Sequence, residues 1–346
     1  MLLKRMAQWP GKYLFTRYFT VRKLLNLVRV SLEYAARRPS VKGRPYHVVV
    51  DPCNSCILHC PLCPTGQGSK ARSKGMMRFD DYARLIDEVK PYAYDVYLFN
   101  WGEPLLNPDI FRMIEYAHNC GVRTRLSSNL NHFPDGYARK LVASGLDSLV
   151  ISLDGTTQET YQTYRRGGSF QKVLDGIRMI NEERKRQNST TPRMVWQFLI
   201  MRHNEHEISR VHKMAGEIGV DCVCIGPAFT DTARLIFQND AERIDGSREW
   251  LPRDDRLSVF DYAKKRRKTR TKRCKYLWTM PAIDPDGSLS PCCAVYPEKY
   301  DFGNVFQQSL SEIWNNEKYV ASRRIVSGRK GHAATVCATC AANGFI

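Results

Sequence analysis

From residue 46 onward, hydrophobic and polar positions switch repeatedly between two periods. Short apolar runs at 47–50, 96–101, 123–127, 148–153, 194–201 and 221–225 have the length and residue types of strands. Between them, the stretches 79–92, 109–120, 135–144, 170–186 and 205–218 space their apolar residues along one helical face. Gly121, Gly145 and Gly219 stand just past three of these helices, where a left-handed C-cap residue is expected. Strands separated by helices build a parallel sheet, and six such units predict an α/β chain folded as a partial (β/α)6 TIM-like barrel. Residues 231–273 lose the alternation and read as a connector.

Upstream of the barrel, residues 14–38 place Val21, Leu24, Leu25, Val28, Leu32 and Ala35 on one helical side, with Arg22, Lys23, Asn26, Arg29 and Glu33 on the other. Two readings stand side by side. In one, the helix covers the open end of the barrel and leaves a solvated basic face. In the other, it lies in an anionic lipid interface with Trp9, Tyr13, Phe15, Tyr18 and Phe19 at headgroup level. The expected organisation is a basic helical extension over 1–45, a barrel over 46–230, a connector over 231–273 and a small C-terminal α+β module over 274–346.

Charge sharpens this division. The chain of 346 residues carries a formal net charge of +18. Residues 1–45 hold eleven Lys/Arg and one acid, Glu33, while 264–275 hold nine basic residues and no acid. Together these two segments carry more than the whole net charge, so the rest is close to neutral and the basic segments read as a docking surface. No stretch has the length of a transmembrane helix, and Arg22, Lys23 and Arg29 break up the N-terminal apolar run, so no signal peptide is expected. Twelve cysteines in so large a chain, several at metal-ligand spacings, fit a reducing cytoplasm better than a disulfide framework.

The candidate chemistry begins directly after the first predicted strand. Cys56, Cys60 and Cys63 are spaced C-x3-C-x2-C, enough for three irons of a [4Fe-4S] cube, with the fourth left open to a small molecule. A zinc knuckle is the competing reading of the spacing alone. Further motifs fall after successive strands: Asn100-Trp101-Gly102-Glu103-Pro104, then Ser127-Ser128-Asn129, then Ser152-Leu153-Asp154-Gly155, and beyond them Tyr164-Arg165-Arg166-Gly167-Gly168-Ser169-Phe170. Parallel α/β folds carry their sites beyond the C-terminal strand ends, which is where each of these lies. Near the C-terminus Cys274, Gly287 and Cys292 fit C-x12-G-x4-C, followed by Cys337 and Cys340; a hairpin around Pro285-Asp286-Gly287 would set Cys292 beside Cys274. Cys293 is an alternative to Cys292, and two cysteine pairs also suit structural zinc. Cys53, Cys120, Cys222 and Cys224 read as free thiols.

In their order and spacing these motifs resemble the radical S-adenosylmethionine (radical SAM) superfamily over about residues 46–230, with a C-terminal match to the SPASM or twitch auxiliary-cluster modules. The resemblance implies SAM and two [4Fe-4S] clusters as cofactors. Cys56, Cys60 and Cys63 would hold the SAM-binding cluster, and Cys274, Cys292, Cys337 and Cys340 the auxiliary one. Gly102, Glu103 and Pro104 would bind the SAM amino group, Ser128 and Asn129 its ribose or carboxylate, and Ser152 and Asp154 would face the nucleoside. Arg165 would pair with the SAM carboxylate. Trp101 stands where the family usually has glycine. Gln197, Met201, Asn204 and 225–227 border the same region but read equally well as core.

What the resemblance implies about function is reductive SAM cleavage to a 5'-deoxyadenosyl radical, which abstracts a substrate hydrogen. The electron left on the substrate would pass to the auxiliary cluster, making the chain an oxidoreductase that dehydrogenates an alcohol, a sugar or a lipid-linked saccharide. A one-electron donor such as flavodoxin or ferredoxin is the implied partner. The two basic segments add an expectation of peripheral contact with the inner face of a membrane. Alternatives are a maturase acting on peptide or protein side chains, disfavoured by the short 1–45 segment, and redox-neutral chemistry beside a structural C-terminal metal. No RNA-binding motif is present, so nucleic acid is not an expected partner.

Overall fold

The computed structural model describes residues 16–228, 249–261, 266–268, 273–331 and 333–342. Trp9, Tyr13 and Phe15, much of the expected connector and half of the basic run at 264–275 lie outside the described residues. Six parallel strands form the centre in chain order: β1 (His47–Val50), β2 (Asp95–Leu98), β3 (Arg123–Ser128), β4 (Ser148–Ser152), β5 (Arg193–Ile200) and β6 (Cys222–Pro227). Each pairs with the next in parallel register, and the sheet does not close on itself, so the architecture is the expected partial barrel.

The sequence explains the layering. β1 reads HVVV and is buried throughout, whereas β3 buries only alternate residues, Thr124, Leu126 and Ser128. Outside the sheet pack α2 (Phe79–Val89), α3 (Ile110–Asn119), α4 (Tyr137–Ala143), α5 (Gln158–Tyr164), α6 (Phe170–Arg186) and α7 (Ile208–Ile218). Gly121, Gly145 and Gly219 all take positive φ, near +71°, +74° and +75°. These are the left-handed conformations expected at the three helix ends. Helix α5 was not anticipated from the periodicity. Its only local signal is Thr157, whose hydroxyl caps it by accepting from Thr160 N, because seven residues are too few for a helical period to stand out.

Beyond the barrel, β7 (Phe260–Asp261) and β8 (Arg266–Arg267) make a short antiparallel pair. After α8 (Tyr276–Thr279), β9 (Ala282–Ile283) pairs in parallel with β1 and turns back into β10 (Ser288–Ser290), which meets β11 (Gly303–Asn304). The expected hairpin is thus present, with Gly287 at φ +83° closing the turn. It extends the barrel sheet to nine strands, in the order β11-β10-β9-β1-β2-β3-β4-β5-β6. Helices α9 (Leu310–Ile313), α10 (Glu317–Val326) and α11 (Val336–Ala342) complete the chain; Ser309 and Glu312 form a capping box at the start of α9.

The N-terminal helix α1 (Val21–Ala35) lies across the N-terminal ends of the strands. Lys23 Nζ donates to Gly121 O at 2.6 Å, just before β3, and the Tyr18 hydroxyl donates to Asp147, just before β4. Glu33 accepts from Lys42 N and Gly43 N at 2.7 and 2.9 Å. Covering the barrel end agrees with one of the two sequence readings, but the face used does not. Lys23, Leu27, Val30 and Glu33 turn inward, and Val21, Leu25, Val28 and Leu32 point to solvent. The inward face mixes Leu27 and Val30 with Lys23 and Glu33, whose charges the backbone carbonyls and amides at the barrel end satisfy, while Arg22 and Arg29 stay outside. Tyr18, expected at headgroup level, is buried instead.

Candidate active site

The loop after β1 folds its three cysteines under the segment that follows α5. His59 N donates to Arg166 O at 2.9 Å, and Cys63 N to Cys60 O at 3.1 Å. Leu58, Tyr164, Met201, Ala228 and Trp250 pack around Cys56, Cys60 and Cys63 as one small apolar group. Nitrogen donors are aimed at the sulfurs: Leu58 N lies 3.4 Å and Asn129 Nδ2 3.6 Å from Cys56 Sγ, and Arg165 Nη1 lies 3.9 Å from Cys60 Sγ. Burial pushes the Cys56 thiol up to about 12, with Glu103, Cys60 and Cys63 adding to the rise. Burial likewise raises Cys60 against the opposing charge of Arg165. Three gathered thiols that resist ionisation alone, yet face hydrogen-bond donors, suit thiolates held by a positively charged cluster.

The turn after β2 is built for backbone contact. A Cβ on Gly102 would sit 1.7 Å from Cys53 O, so only glycine fits. Trp101 does not disturb this turn: its N–H donates to Asp51 Oδ2 at 2.9 Å, and Glu103 N donates to Ser55 O at 2.8 Å. The indole turns toward the C-terminal segment, where Nε1 lies 3.3 Å from Val295 O. Glu103 is buried; its carboxylate accepts from Asn129 N at 2.9 Å and caps Pro104–Leu106 through Leu105 N. Ser128 bonds the same carboxylate, which burial still pushes up to about 7.

This shift carries a sign. A carboxyl raised in the folded state from 4.5 to about 7 keeps its proton while the unfolded chain loses it. Stability of the cofactor-free protein is therefore full below pH 4.5 and falls as pH rises toward 7, by at most about 3 kcal/mol for this group. Asp51, pushed up by burial to about 7, acts in the same direction. Denaturant titrations at pH 5 and 7.5 should show this fall, with a flatter profile for Glu103→Gln. An unchanged profile in the variant would remove Glu103 as its source.

Asp154 is fully buried, accepting from Leu199 N and from Arg165 Nε, both at 2.7 Å. It therefore orients Arg165, which spans from Asp154 to Cys60. Ser152 lies buried at the end of β4. Asn204 ties the region together by donating to Asp154 O at 3.0 Å and Leu199 O at 2.9 Å. The structure thus brings Gly102, Glu103, Ser128, Asn129, Asp154 and Arg165 around the three cysteines. Two contributors escaped the sequence reading. Asp51 had a local signal, as the first residue after a buried strand; Trp250, stacked edge-on against Tyr164 at 5.5 Å, had none.

The C-terminal cysteines gather elsewhere. Cys274, Cys292 and Cys340 pack against the main core that includes buried Cys337. Burial raises Cys274, Cys292 and Cys337; the N–H groups of Tyr276 and Leu277 point at Cys274, that of Ala294 at Cys292, and Ser322 and Thr335 hydrogen-bond Cys337. This donor set also fits a cluster. Cys293 instead packs with Val49, Tyr97, Phe99 and Met280 on the barrel side. None of the twelve cysteines is in a disulfide.

A parallel partial barrel with a three-cysteine loop at its C-terminal end, joined to a four-cysteine module, defines a cluster-dependent enzyme class. The profile of the radical SAM superfamily matches residues 50–215, and that of the SPASM iron-sulfur cluster-binding domain matches 274–341. The chain belongs to the radical SAM superfamily and carries a C-terminal SPASM domain. SAM, a [4Fe-4S] cluster and auxiliary iron–sulfur binding come with these domains. An AdoMet-dependent heme synthase of Methanosarcina barkeri is 29% identical over 166 residues, 47% of this chain and 45% of the relative. This chain therefore spans under half the length of that relative. A PqqA peptide cyclase of Ruegeria pomeroyi is 25% identical over 295 residues, 78% of this chain and 74% of the relative. Streptococcus suis SuiB bound to S-adenosylmethionine shares the fold, with a TM-score of 0.61 at 15% identity, covering 86% of this chain and 71% of that one. Among the described residues no helix is long and apolar enough to cross a membrane.

Proposed function

We propose that this chain is an oxidoreductase that removes a hydrogen atom and then an electron from an organic substrate held between its two cysteine sets. The observation that carries this is the short contact path between them. Cys63 Sγ lies 4.0 Å from Trp101 O, and the Trp101 indole reaches Val295, three residues past Cys292. With the Asn100 amide oriented to satisfy both neighbours, its oxygen accepts from Trp101 Nε1 at 2.9 Å and its nitrogen donates to Cys293 O at 3.1 Å. When bound, the cofactors supply reductive SAM cleavage and hydrogen abstraction at one end and an electron acceptor at the other. Cys56, Cys60 and Cys63 would hold the first cluster, and Cys274, Cys292, Cys337 and Cys340 the second.

The protein's own part is binding and exclusion of water. Gly102 offers backbone at close range, Glu103 presents a buried carboxylate suited to an ammonium group, and Asp154 aims Arg165, whose guanidinium suits a carboxylate. Two substrate classes fit this reading, a hydroxyl-bearing sugar or alcohol and a peptide side chain. Similarity to a peptide cyclase over 78% of this chain favours the peptide class. The proposed place is peripheral to the inner face of a membrane, and the donor a flavodoxin or ferredoxin.

The test is anaerobic turnover of the reconstituted protein with panels of polyols and of short peptides. A product about 2 Da lighter, formed with about one 5'-deoxyadenosine per event, supports oxidation and identifies the class. Turnover with product mass unchanged, beside one zinc per chain at the C-terminal cysteines, would sink it.

A further inference from the structure

We propose that the outward face of α1 docks on an anionic membrane surface, setting the barrel on the bilayer with its cysteine loop turned away. This inference rests on α1 alone and not on the chemistry above. Six large apolar side chains are exposed among the described residues, and four of them, Val21, Leu25, Val28 and Leu32, share this helix. Their exposures are 65%, 62%, 47% and 65%. Spaced i, i+4, i+7 and i+11, they form one ridge about 16 Å long.

The helix is not free to roll the ridge inward. Lys23 is fixed to Gly121 O, Glu33 to Lys42 N and Gly43 N, and Asn26 both donates to Arg44 O and accepts from Arg44 N. A Cβ on Gly43 would meet Val30 Cγ2 at 2.6 Å and Glu33 Oε2 at 2.8 Å, so the loop that receives Glu33 seats closely on the helix. The inward face is built, and the ridge is what remains outside.

Charge selects the occupant. Glu33 is the sole acid among residues 1–45, and it is spent in the interior. The exposed charges over 16–45, Arg17, Arg22, Arg29, Arg37, Arg38 and Lys42, are all positive. Arg22 and Arg29 project from one flank of the ridge, where long side chains reach phosphates while the apolar residues enter the headgroup boundary. An apolar stripe whose exposed charged neighbours on this segment are all cationic complements anionic lipid.

Orientation follows from the fold. Tyr94, Gly121 and Asp147, which lie under α1, immediately precede β2, β3 and β4. The cysteine loop follows the opposite end of β1. A barrel seated on α1 therefore receives its substrate from the aqueous side, which weighs against a lipid-linked saccharide.

Co-sedimentation of the full chain with phosphatidylcholine vesicles, with and without phosphatidylglycerol, tests this. Binding is expected only to the anionic vesicles and should fall with salt. Leu25→Gln/Leu32→Gln and, separately, Arg22→Gln/Arg29→Gln should each weaken it about tenfold. Far-ultraviolet circular dichroism and Tm should stay unchanged, because these side chains are already in water. Several results overturn the proposal: no binding by the wild type, equal binding to both vesicle types, or variants that bind like wild type. A dimer in sedimentation velocity that L25Q/L32Q returns to monomer would assign the ridge to a second copy instead. If deleting residues 2–15 creates binding that the full chain lacks, that segment is the ridge's cover.

Discussion

Cys60→Ala is expected to remove the iron held by the N-terminal loop and to abolish SAM cleavage, while the C-terminal site keeps its own. Iron per chain should drop from about eight to about four, with acid-labile sulfide falling in parallel. Cys60 is the most enclosed of the three loop thiols and has Arg165 Nη1 at 3.9 Å, so no neighbouring water or side chain replaces it. The independence of the two sites follows from packing: the loop cysteines share one small apolar group, and the C-terminal cysteines share the main core. The paired experiment is Cys292→Ala beside Cys293→Ala. Cys292 packs with Cys274 and Cys337, so its loss should empty the C-terminal site; Cys293 faces the barrel, so its loss should leave about eight irons. Equal iron loss in both variants would sink the ligand assignment, and stoichiometric zinc in place of the second cluster would make that site structural.

Arg72→Met should destabilise the fold by about 3–5 kcal/mol, the second large effect. Arg72 leaves the loop after β1 and enters the C-terminal segment. Its Nη1 lies 3.2 Å from Asp284 Oδ2, a charge contact without hydrogen-bond geometry, and its Nη2 donates to Asp301 Oδ1 at 2.6 Å. Its Nε donates to Tyr296 O at 2.7 Å. Burial outweighs these contacts for Asp284, whose carboxyl is held well above its ordinary range, and Asp301 is raised for the same reason. Removing the guanidinium leaves two buried carboxyls facing each other and raises them further. Raised carboxyls lose stability as pH climbs through the gap between unfolded and folded values, so the loss should be greater at pH 8 than at pH 5. Arg72→Met/Asp284→Asn should recover about half of it. A double variant no more stable than Arg72→Met would show that the cost comes from packing rather than from unpaired charge. Chemical denaturation at the two pH values decides the matter.

Much of the fold was legible because its signals are local. Buried parallel strands read as continuous apolar runs, and the three glycines mark helix ends through their own φ preference. The strands fell within a residue or two of their expected places except at β2, which ends at Leu98 because Asn100 and Trp101 turn outward to bond the C-terminal segment. The cysteine loop and the turn containing Glu103 were legible for a different reason: spacing alone fixes which groups can converge beyond parallel strands. The local view failed at α5, too short to show a period. It also gave no sign that Asp154 holds Arg165 and Leu199 N, which lie 11 and 45 residues further on.

By itself the sequence determined the order of the six barrel strands and most of the helices between them, the two cysteine groups and their positions relative to the strand ends. Those depend on periodicity, on glycine's backbone freedom and on spacing, all carried within a few residues. The tertiary structure decided which face of α1 is inside. Helical periodicity separates an apolar side from a polar side, yet it cannot tell that the buried face will cut across both when the carbonyl of Gly121 awaits Lys23 and the amides of Lys42 and Gly43 await Glu33. It likewise decided that β9 joins β1, that Arg72 links the loop after β1 to the C-terminal segment, and that Cys292 and Cys293 pack in different apolar groups. Each of these joins residues far apart in the chain, and burial and hydrogen-bond satisfaction act on neighbours in space rather than in sequence.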